Sequence, residues 1–327
     1  MKLLVTGGAG FMGSNFIHYI LEKYPDYKIV NLDKMTYAGN LENLRNIEHD
    51  PRYEFVHGDI RDKIVVNNLL PGIDAVINYA AETHVDRSIE SPEDFLTTEV
   101  IGTFTLLEGM RKYKVGRMIQ ISTDEVFGST EYGEFKESDP FEPNSPYSAA
   151  KAGGDLLCRA YHRTYGVPVI VTHSCNFYGP HQYPEKLIPL FITNLLEGKK
   201  VPLYANGQNV REWIYTEDHC RAVDLILHQG VVGEVYNIGS GDRFSNLDIT
   251  RQLLGLLDRD ESMIERVADR PGHDLRYAID CSKISDTLGF RPGVSFETGL
   301  ARTVEWYRAH PVWWQALKKA GDSFVNK

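Results

Sequence analysis

The chain has 327 residues, 42% hydrophobic and 24% charged, which is typical of a globular protein with a sizeable core. Its formal net charge of −10, with no basic run, argues against a nucleic-acid-binding surface. No apolar stretch is long enough to span a bilayer and no signal-like segment opens the chain, so we expect no membrane association. Cys158, Cys175, Cys220 and Cys281 lie far apart and form no C-x-x-C, which predicts no metal site and reduced thiols in the cytoplasm.

Short apolar runs rich in β-branched residues alternate with longer helical stretches along the first half of the chain. Runs that are apolar on both sides are typical of strands buried in a parallel sheet. The alternation of strand and helix predicts an α/β fold with a doubly wound parallel sheet. The predicted strands are residues 3–6, 28–32, 53–57, 75–79, 117–121 and 169–172, and the predicted helices include residues 14–23 and 93–113.

A glycine-rich turn, residues 7–13, follows the first strand and opens a helix. Its glycines let the backbone turn tightly and approach a pyrophosphate, which the N–H groups of the helix N-terminus would bind. Asp33 ends the second strand, where a carboxylate bonds a ribose 2′-hydroxyl, which favours NAD over NADP, although the adjacent Lys34 leaves NADP open. Tight turns without a cofactor are the alternative. The predicted cofactor contacts are Gly7, Gly10, Phe11, Met12, Gly13, Asp33, Asp59, Ile60, Ala80, Ala81, Tyr147 and Lys151.

Two adjacent carboxylates, Asp124 and Glu125, follow Thr123 at the end of the fifth predicted strand. Ligands bind at the carboxyl ends of the strands in open α/β sheets, which argues against an ordinary acidic surface loop. On a turn the two side chains can diverge into different environments. Different environments separate the two pKa values, which gives one acid and one base.

Tyr147 and Lys151 lie one helical turn apart, so they project from the same face of a helix that Pro146 begins. A nearby ammonium lowers the pKa of a phenol because it stabilises the phenolate. A phenolate can accept the proton of a sugar hydroxyl while the hydride leaves. A surface helix that happens to carry Tyr and Lys is the alternative, and the glycine-rich turn argues against it.

Past about Tyr178 strands and helices alternate less regularly, and prolines are frequent. We predict that residues 1–178 form a NAD-binding domain that carries the catalytic residues. Residues 179–327 mainly form a smaller mixed α/β lobe for the substrate, with segments returning to the main sheet. The helical stretches 93–113 and 150–165 are more apolar than one sheet face requires, which predicts a homodimer.

These motifs resemble the extended short-chain dehydrogenase/reductase superfamily, whose fold is of the Rossmann type. More narrowly, the chain is similar to the dTDP-glucose 4,6-dehydratase family, almost from end to end. Five stretches carry this narrower resemblance beyond the glycine-rich turn and the Tyr-x-x-x-Lys pair. They are residues 36–41, 80–88, 184–189, 209–213 and 270–274.

The resemblance implies a redox-neutral dehydration of a nucleotide-activated glucose with bound NAD. Tyr147, supported by Lys151, would be the base for oxidation at C4, and Thr123 would bond the C4 oxygen. Glu125 would remove the C5 proton and Asp124 would protonate the leaving C6 hydroxyl, after which the hydride returns to C6. The resemblance also implies a homodimer with a four-helix interface. The implied nucleotide-sugar contacts are His84, Ser88, Asn176, Glu185, Lys186, Arg211, Asn246, Arg270 and His273.

The chain departs from the family at Phe177, where a second Asn is usual, and at residues 205–207, which replace a Tyr-Gly-Asp-Gly-like run. Both departures fall on the nucleotide side, so dTDP, UDP and CDP all stay open. A UDP-sugar 4-epimerase or decarboxylase would share Tyr147 and Lys151 but would not need Asp124. A non-catalytic dinucleotide-sensing regulator would have no reason to keep the catalytic residues together.

Overall fold

A computed structural model gives the fold of residues 1–269 and 274–325, with side chains described as far as residue 319. The strands of these residues are β1 (Lys2–Thr6), β2 (Lys28–Asp33), β3 (Tyr53–His57), β4 (Ala75–Asn78), β5 (Arg117–Thr123), β6 (Val169–Ser174), β7 (Asn176–Tyr178), β8 (Val201–Tyr204), β9 (Val210–Tyr215), β10 (Val235–Ile238), β11 (Arg243–Ser245) and β12 (Ile264–Val267).

The helices are α1 (Phe11–Lys23), α2 (Lys63–Leu69), α3 (Val85–Glu90), α4 (Pro92–Leu96), α5 (Thr103–Tyr113), α6 (Pro146–Tyr165), α7 (Leu187–Leu196), α8 (Thr216–Gln229), α9 (Asn246–Leu256), α10 (Ser282–Leu288), α11 (Phe296–Ala309) and α12 (Pro311–Val325). Short 3-10 turns occupy Leu41–Ile47, Asp124–Phe127 and Glu261–Met263, and a π-helical turn occupies Thr97–Gly102. None of the described helices combines the length and the apolar character needed to cross a membrane.

Seven strands form the main sheet in the order β10-β6-β5-β4-β1-β2-β3, and every neighbouring pair is parallel. The predicted α/β fold with a doubly wound sheet of the Rossmann type is therefore confirmed. The strand order reverses between β1 and β4. Ligands bind beside such a reversal, outside the carboxyl ends of the strands, because the flanking connections leave on opposite faces there.

Both faces of the main sheet are covered, which explains why its strands are apolar without alternation. Leu3 and Val5 of β1 join one core, where they pack with Phe16 of α1. Leu4, which points to the opposite face, joins a second core with Leu107 of α5. A strand with only one buried face would have shown polar residues at every second position.

The predicted helix 93–113 is present, but it consists of α4, the π-helical turn and α5 in direct succession. The flanking residues Leu96 and Gly102 keep helical backbone angles, so the chain does not break between the three parts. A π turn adds a residue to the turn and changes which side chains face inward. Glu99, in the middle of this turn, is one of the residues that become buried.

The second half of the chain builds two smaller sheets and a third core. β11, β9 and β7 form a three-stranded sheet, and β12 pairs with β8. Apolar residues of α7, α9 and α11, such as Ile188, Ile249 and Leu300, pack together. β10 pairs with β6 at the edge of the main sheet, so part of this half returns to the main sheet. The division into residues 1–178 and 179–327 stays a prediction.

Candidate active site

Two cavities lie side by side at the carboxyl ends of the strands, and Glu185 and Lys186 line both of them. The first cavity, called here the cofactor cavity, has a volume of about 1260 Å³ including its open mouth. The second, called the substrate cavity, has a volume of about 1050 Å³ measured in the same way. All twelve predicted cofactor contacts line the cofactor cavity.

The glycine-rich turn forms a cradle whose shape excludes larger residues at Gly7 and Gly13. Gly7 has a φ of +68°, and a Cβ there would lie 2.7 Å from the Ala80 Cα. A Cβ on Gly13 would lie 2.4 Å from the Gly7 carbonyl oxygen. Gly10 begins α1 without a side-chain cap, so the first N–H groups of the helix can bind a phosphate. The cradle therefore fits the pyrophosphate of a dinucleotide.

Asp33 lies at the end of β2 on the wall of the cofactor cavity. One carboxylate oxygen accepts the Ala9 N–H at 2.9 Å, and the other accepts the Met35 N–H at 2.8 Å. A carboxylate has about four acceptor positions, so Asp33 can still bond a ribose hydroxyl. The Lys34 ammonium lies 3.5 Å from Asp59, which Arg61 also binds at 2.7 Å. Lys34 therefore pairs with an acid, and this pairing favours NAD.

Tyr147 and Lys151 project from the first turns of α6 into the cofactor cavity. The Lys151 ammonium donates to the Ile121 carbonyl at 3.3 Å and lies 3.0 Å from the buried Glu99 carboxylate. Burial, followed by the negative charges of Glu125 and Glu99, raises the pKa of Tyr147. The net shift of the Tyr147 pKa is therefore upward, and the lowering effect of the Lys151 ammonium stays a prediction.

Thr123, Asp124 and Glu125 occupy the end of β5 and the 3-10 turn after it. Asp124 is buried, and burial, followed by the charge of Glu125, raises its pKa well above the usual range. Glu125 instead lines the substrate cavity. The Thr123 hydroxyl accepts the Glu125 N–H at 3.3 Å, and a hydrogen bond with Tyr147 opposes the rise in that residue's pKa. The two carboxyl groups therefore have different environments, as an acid and a base require.

Six of the predicted sugar-nucleotide contacts line the substrate cavity: His84, Asn176, Glu185, Lys186, Arg211 and Asn246. The Arg211 guanidinium donates to the carbonyl oxygens of Asp274 at 2.9 Å and Val210 at 2.8 Å, and it lies 4.1 Å from the centre of the Tyr277 ring. Its hydrogen bonds to described residues reach backbone carbonyls only, so its charge can serve an anionic ligand such as a diphosphate.

His84 and Ser88 differ in what the structure allows them to do. His84 has a φ of +83°, a strained backbone conformation of the kind that clusters at functional sites. Burial, followed by the charge of Lys186, lowers the pKa of His84 to about 4, so its ring is neutral near pH 7. Ser88 is completely buried and donates to the Val85 carbonyl, so the prediction that it lines the sugar pocket is wrong. Arg270 and His273 lie outside the described residues.

Several residues near the site were missed from the sequence. Tyr37 donates to Glu185 at 2.8 Å, and Tyr277 lines the substrate cavity close to Glu125. None of the three, including the buried Glu99, had a signal in the sequence, since their neighbours in the site come from distant parts of the chain. Among the described residues there is no cluster of three or more His, Cys, Asp or Glu that could hold a metal ion.

Comparisons with known proteins agree with this geometry. Residues 4–303 match the family model described as GDP-mannose 4,6 dehydratase. A dTDP-glucose 4,6-dehydratase of Streptomyces antibioticus is 52% identical over 98% of this chain and 96% of that protein. The structure of DesIV, a dTDP-glucose 4,6-dehydratase of Streptomyces venezuelae with NAD bound, is 55% identical, with a TM-score of 0.95 over 97% of this chain and 100% of that chain.

A UDP-glucuronic acid 4-epimerase of Bacillus cereus has the same architecture at greater distance. It is 30% identical, with a TM-score of 0.90 over 94% of this chain and 99% of that chain. The chain is thus clearly more similar in sequence to the 4,6-dehydratases, at 52% and 55% identity, than to this epimerase, at 30%. The chain therefore belongs to the dTDP-glucose 4,6-dehydratase family of the extended short-chain dehydrogenases/reductases.

Proposed function

We infer that this protein is a NAD-dependent dehydratase that converts dTDP-glucose to the 4-keto-6-deoxy sugar. The observation that carries the inference is the pair Asp124 and Glu125, which joins a buried acid to a base on the cavity wall beside Tyr147. Relatives with this name are about half identical to the chain along almost its whole length. Bound NAD supplies the acceptor, and later the donor, of the hydride.

The first step is oxidation at C4, which makes the rest of the reaction possible. Tyr147 accepts the proton of the C4 hydroxyl, and Thr123 bonds the C4 oxygen. Lys151 holds its position through the Ile121 carbonyl and Glu99. A ketone at C4 acidifies the neighbouring C5 proton, which could not otherwise be removed near neutral pH.

The second step eliminates water across C5 and C6. Glu125 removes the C5 proton, and Asp124 gives its proton to the C6 hydroxyl, which is a poor leaving group unless it is protonated. Burial raises the pKa of Asp124, which favours the protonated form that this role needs. The hydride then returns to C6, and Glu125 returns the proton to C5, so the product is the substrate less one water.

Mass spectrometry tests the reaction most directly. We would incubate the purified protein with dTDP-, UDP- and CDP-glucose and follow the mass of each sugar nucleotide without adding a reductant. Loss of one water from dTDP-glucose, at the highest rate of the three, is the expected result. An isomer of unchanged mass would identify an epimerase, and accumulation of one NADH per sugar would identify a plain dehydrogenase.

We also propose that two copies of the chain associate through four helices. Leu96 before the π-helical turn, Ile101 within it and Leu156 on α6 are 55%, 46% and 54% exposed, which is unusual for neighbouring large apolar side chains. Two such helical faces from each copy would cover them. Light scattering should give a dimer for the natural chain and a monomer of 37.1 kDa for Leu156→Glu. Val231→Glu, at an equally exposed site elsewhere, should stay dimeric.

We further propose that the protein works in the cytoplasm. All four cysteines are free thiols, and three of them are buried. Buried thiols that form no disulfide fit a reducing compartment, where they stay reduced. Fractionation of the producing cells should place the dehydratase activity with cytoplasmic markers, and activity in a secreted fraction would contradict this location.

A further inference from the structure

A carboxylate lies directly behind the redox pair. Glu99 is only 1% exposed, and its carboxylate lies 3.0 Å from the Lys151 ammonium. In the described part of the chain no other donor comes within hydrogen-bonding distance of its two oxygens. A buried charge in this position is costly unless it is paired, and Lys151 is the partner.

The fold holds Glu99 there by two unusual features. The π-helical turn places Glu99 on the side of the helix that faces α6. Gly153 and Gly154 of α6 then allow close packing, because a Cβ on Gly154 would lie 2.9 Å from the Glu99 carbonyl oxygen. A Cβ on Gly153 would lie 3.0 Å from a Val100 methyl group. The contact between Glu99 and Lys151 therefore depends on a built feature of the backbone.

Lys151 has three N–H donors, and two of them face protein groups. One donates to the Ile121 carbonyl at 3.3 Å, and one faces Glu99. The third is left for a ligand in the cofactor cavity, whose wall Lys151 lines. The two protein contacts fix the position of the ammonium, and the charge of one of them offsets the charge of Lys151.

We propose that Glu99 is a positioning residue that sets the basicity of Tyr147 through Lys151. When Glu99 is ionised, the field of the ammonium at Tyr147 is weakened, and the phenol keeps its proton. When Glu99 is protonated, the ammonium acts on Tyr147 unopposed and favours the phenolate. The inference rests on the proposed role of Tyr147 as the base of C4 oxidation.

The charged groups around this pair come from every element packed against it. Lys151 and Asp155 face Glu99 from α6, and Glu82 acts on it from the loop after β4. Glu125 and Asp124 act on Tyr147 from the turn after β5. Burial, opposed by Lys151, raises the pKa of Glu99 to about 7. Glu99 and Tyr147 are therefore interacting titratable groups.

The test is Glu99→Gln, which keeps the shape of the side chain and removes its charge. Ionisation of Tyr147 is measured from the ultraviolet absorbance of the phenolate. The absorbance of a matching Tyr147→Phe variant is subtracted, once for the natural chain and once for Glu99→Gln. We expect the midpoint to fall by about one pH unit in Glu99→Gln, as a unit charge a few ångströms away implies. The pH dependence of NADH formation in a single turnover should move in the same direction and become a single ionisation.

Glu93→Gln is the control, because it removes the same charge from an exposed site on the same run of helix. It should leave both titrations where they are. The proposal would be overturned if Glu99→Gln left the midpoint of Tyr147 ionisation and the pH dependence of NADH formation unchanged. A change in thermal stability alone would overturn it as well. A natural protein whose Tyr147 titrates but forms no NADH would contradict the proposed function, while the spectroscopic shift would still decide the role of Glu99.

Discussion

The cofactor cavity and the substrate cavity share a border but are built differently. The cofactor cavity takes most of its wall from successive strand ends, beginning with the glycine cradle that follows β1. The substrate cavity combines Glu125 with Asn176, Arg211, Asn246 and other residues that come together only in the folded chain. The first therefore includes a glycine turn whose backbone must keep its shape, and the second depends on side chains brought together by the fold. We therefore expect substitutions in the glycine turn to weaken cofactor binding through steric clashes, and substitutions in the substrate cavity to slow single chemical steps.

The largest effects should come from the chemical steps at the border of the cavities. Asp124→Asn removes the proton donor and leaves Tyr147 and Lys151 in place. Oxidation at C4 should persist, while loss of water should slow by about two to four orders of magnitude. Rapid-mix absorbance of NADH, combined with mass spectrometry of the sugar, measures both steps.

The neighbouring acid and the tyrosine provide the comparison for that experiment. Glu125→Gln should also form transient NADH, but it should block exchange of the C5 hydrogen with solvent deuterium, which Asp124→Asn leaves partly intact. Tyr147→Phe should form no transient NADH at all. If both acid variants bind substrate without forming NADH, the two carboxyl groups do not divide the elimination between them.

The next effect should fall on the cofactor cradle. Gly7→Ala places a Cβ 2.7 Å from the Ala80 Cα and forces an alanine to keep a φ of +68°. Displacement of the turn should weaken NAD binding by about tenfold to a hundredfold, as strain of a few kcal/mol implies. Calorimetric titration of NAD into cofactor-depleted protein measures this loss.

Gly72→Ala is the matched control for the cradle. Gly72 has a φ of +78°, but a Cβ there meets nothing within 4 Å. This variant has the backbone strain without the collision, and NAD should bind as in the natural chain. Equal losses of NAD affinity in the two variants would mean that general strain, and not the shape of the cradle, controls binding.

A smaller effect should appear at the ribose end of the cofactor cavity. Asp33→Asn removes the negative charge that faces a 2′-phosphate but keeps an oxygen for the Ala9 N–H. The preference for NAD over NADP should fall by about tenfold, as about 1.4 kcal/mol of lost repulsion implies. Lys34→Gln should change the preference little, because Lys34 pairs with Asp59. Competition between the two cofactors in reactivating depleted protein is the measurement.

The last effect concerns the stability of the fold in acid and leaves the catalytic steps aside. The pKa of His84 is about 4 in the fold and near 6.5 in the unfolded chain, so between these values only the unfolded chain takes up the proton. The free energy of unfolding should therefore fall as pH drops from about 6.5 to about 4, with His84 contributing about 2 kcal/mol. His84→Gln should reduce the slope in urea titrations at several pH values. His49→Gln, whose side chain is 93% exposed, should not change it.

Much of the cofactor half could be predicted from the sequence because its signals are local. A glycine-rich turn between a strand and a helix, and the apolar runs of strands buried on both faces, are each encoded in a few neighbouring residues. All twelve predicted cofactor contacts line one cavity as a result. Tyr147 and Lys151 share a helix face for the same reason, because the period of the helix fixes which side chains project together.

The sequence by itself therefore determined the sheet class, the cradle and the identity of the paired acids. Tertiary structure decided which acid is buried, since only packing separates Asp124 from Glu125. It also decided that Ser88 lies below the cavity wall and that the π-helical turn brings Glu99 to Lys151. These outcomes depend on contacts between residues far apart in the chain, and electrostatic effects such as the raised pKa of Tyr147 follow from those contacts. Local sequence periodicity carries no information about them.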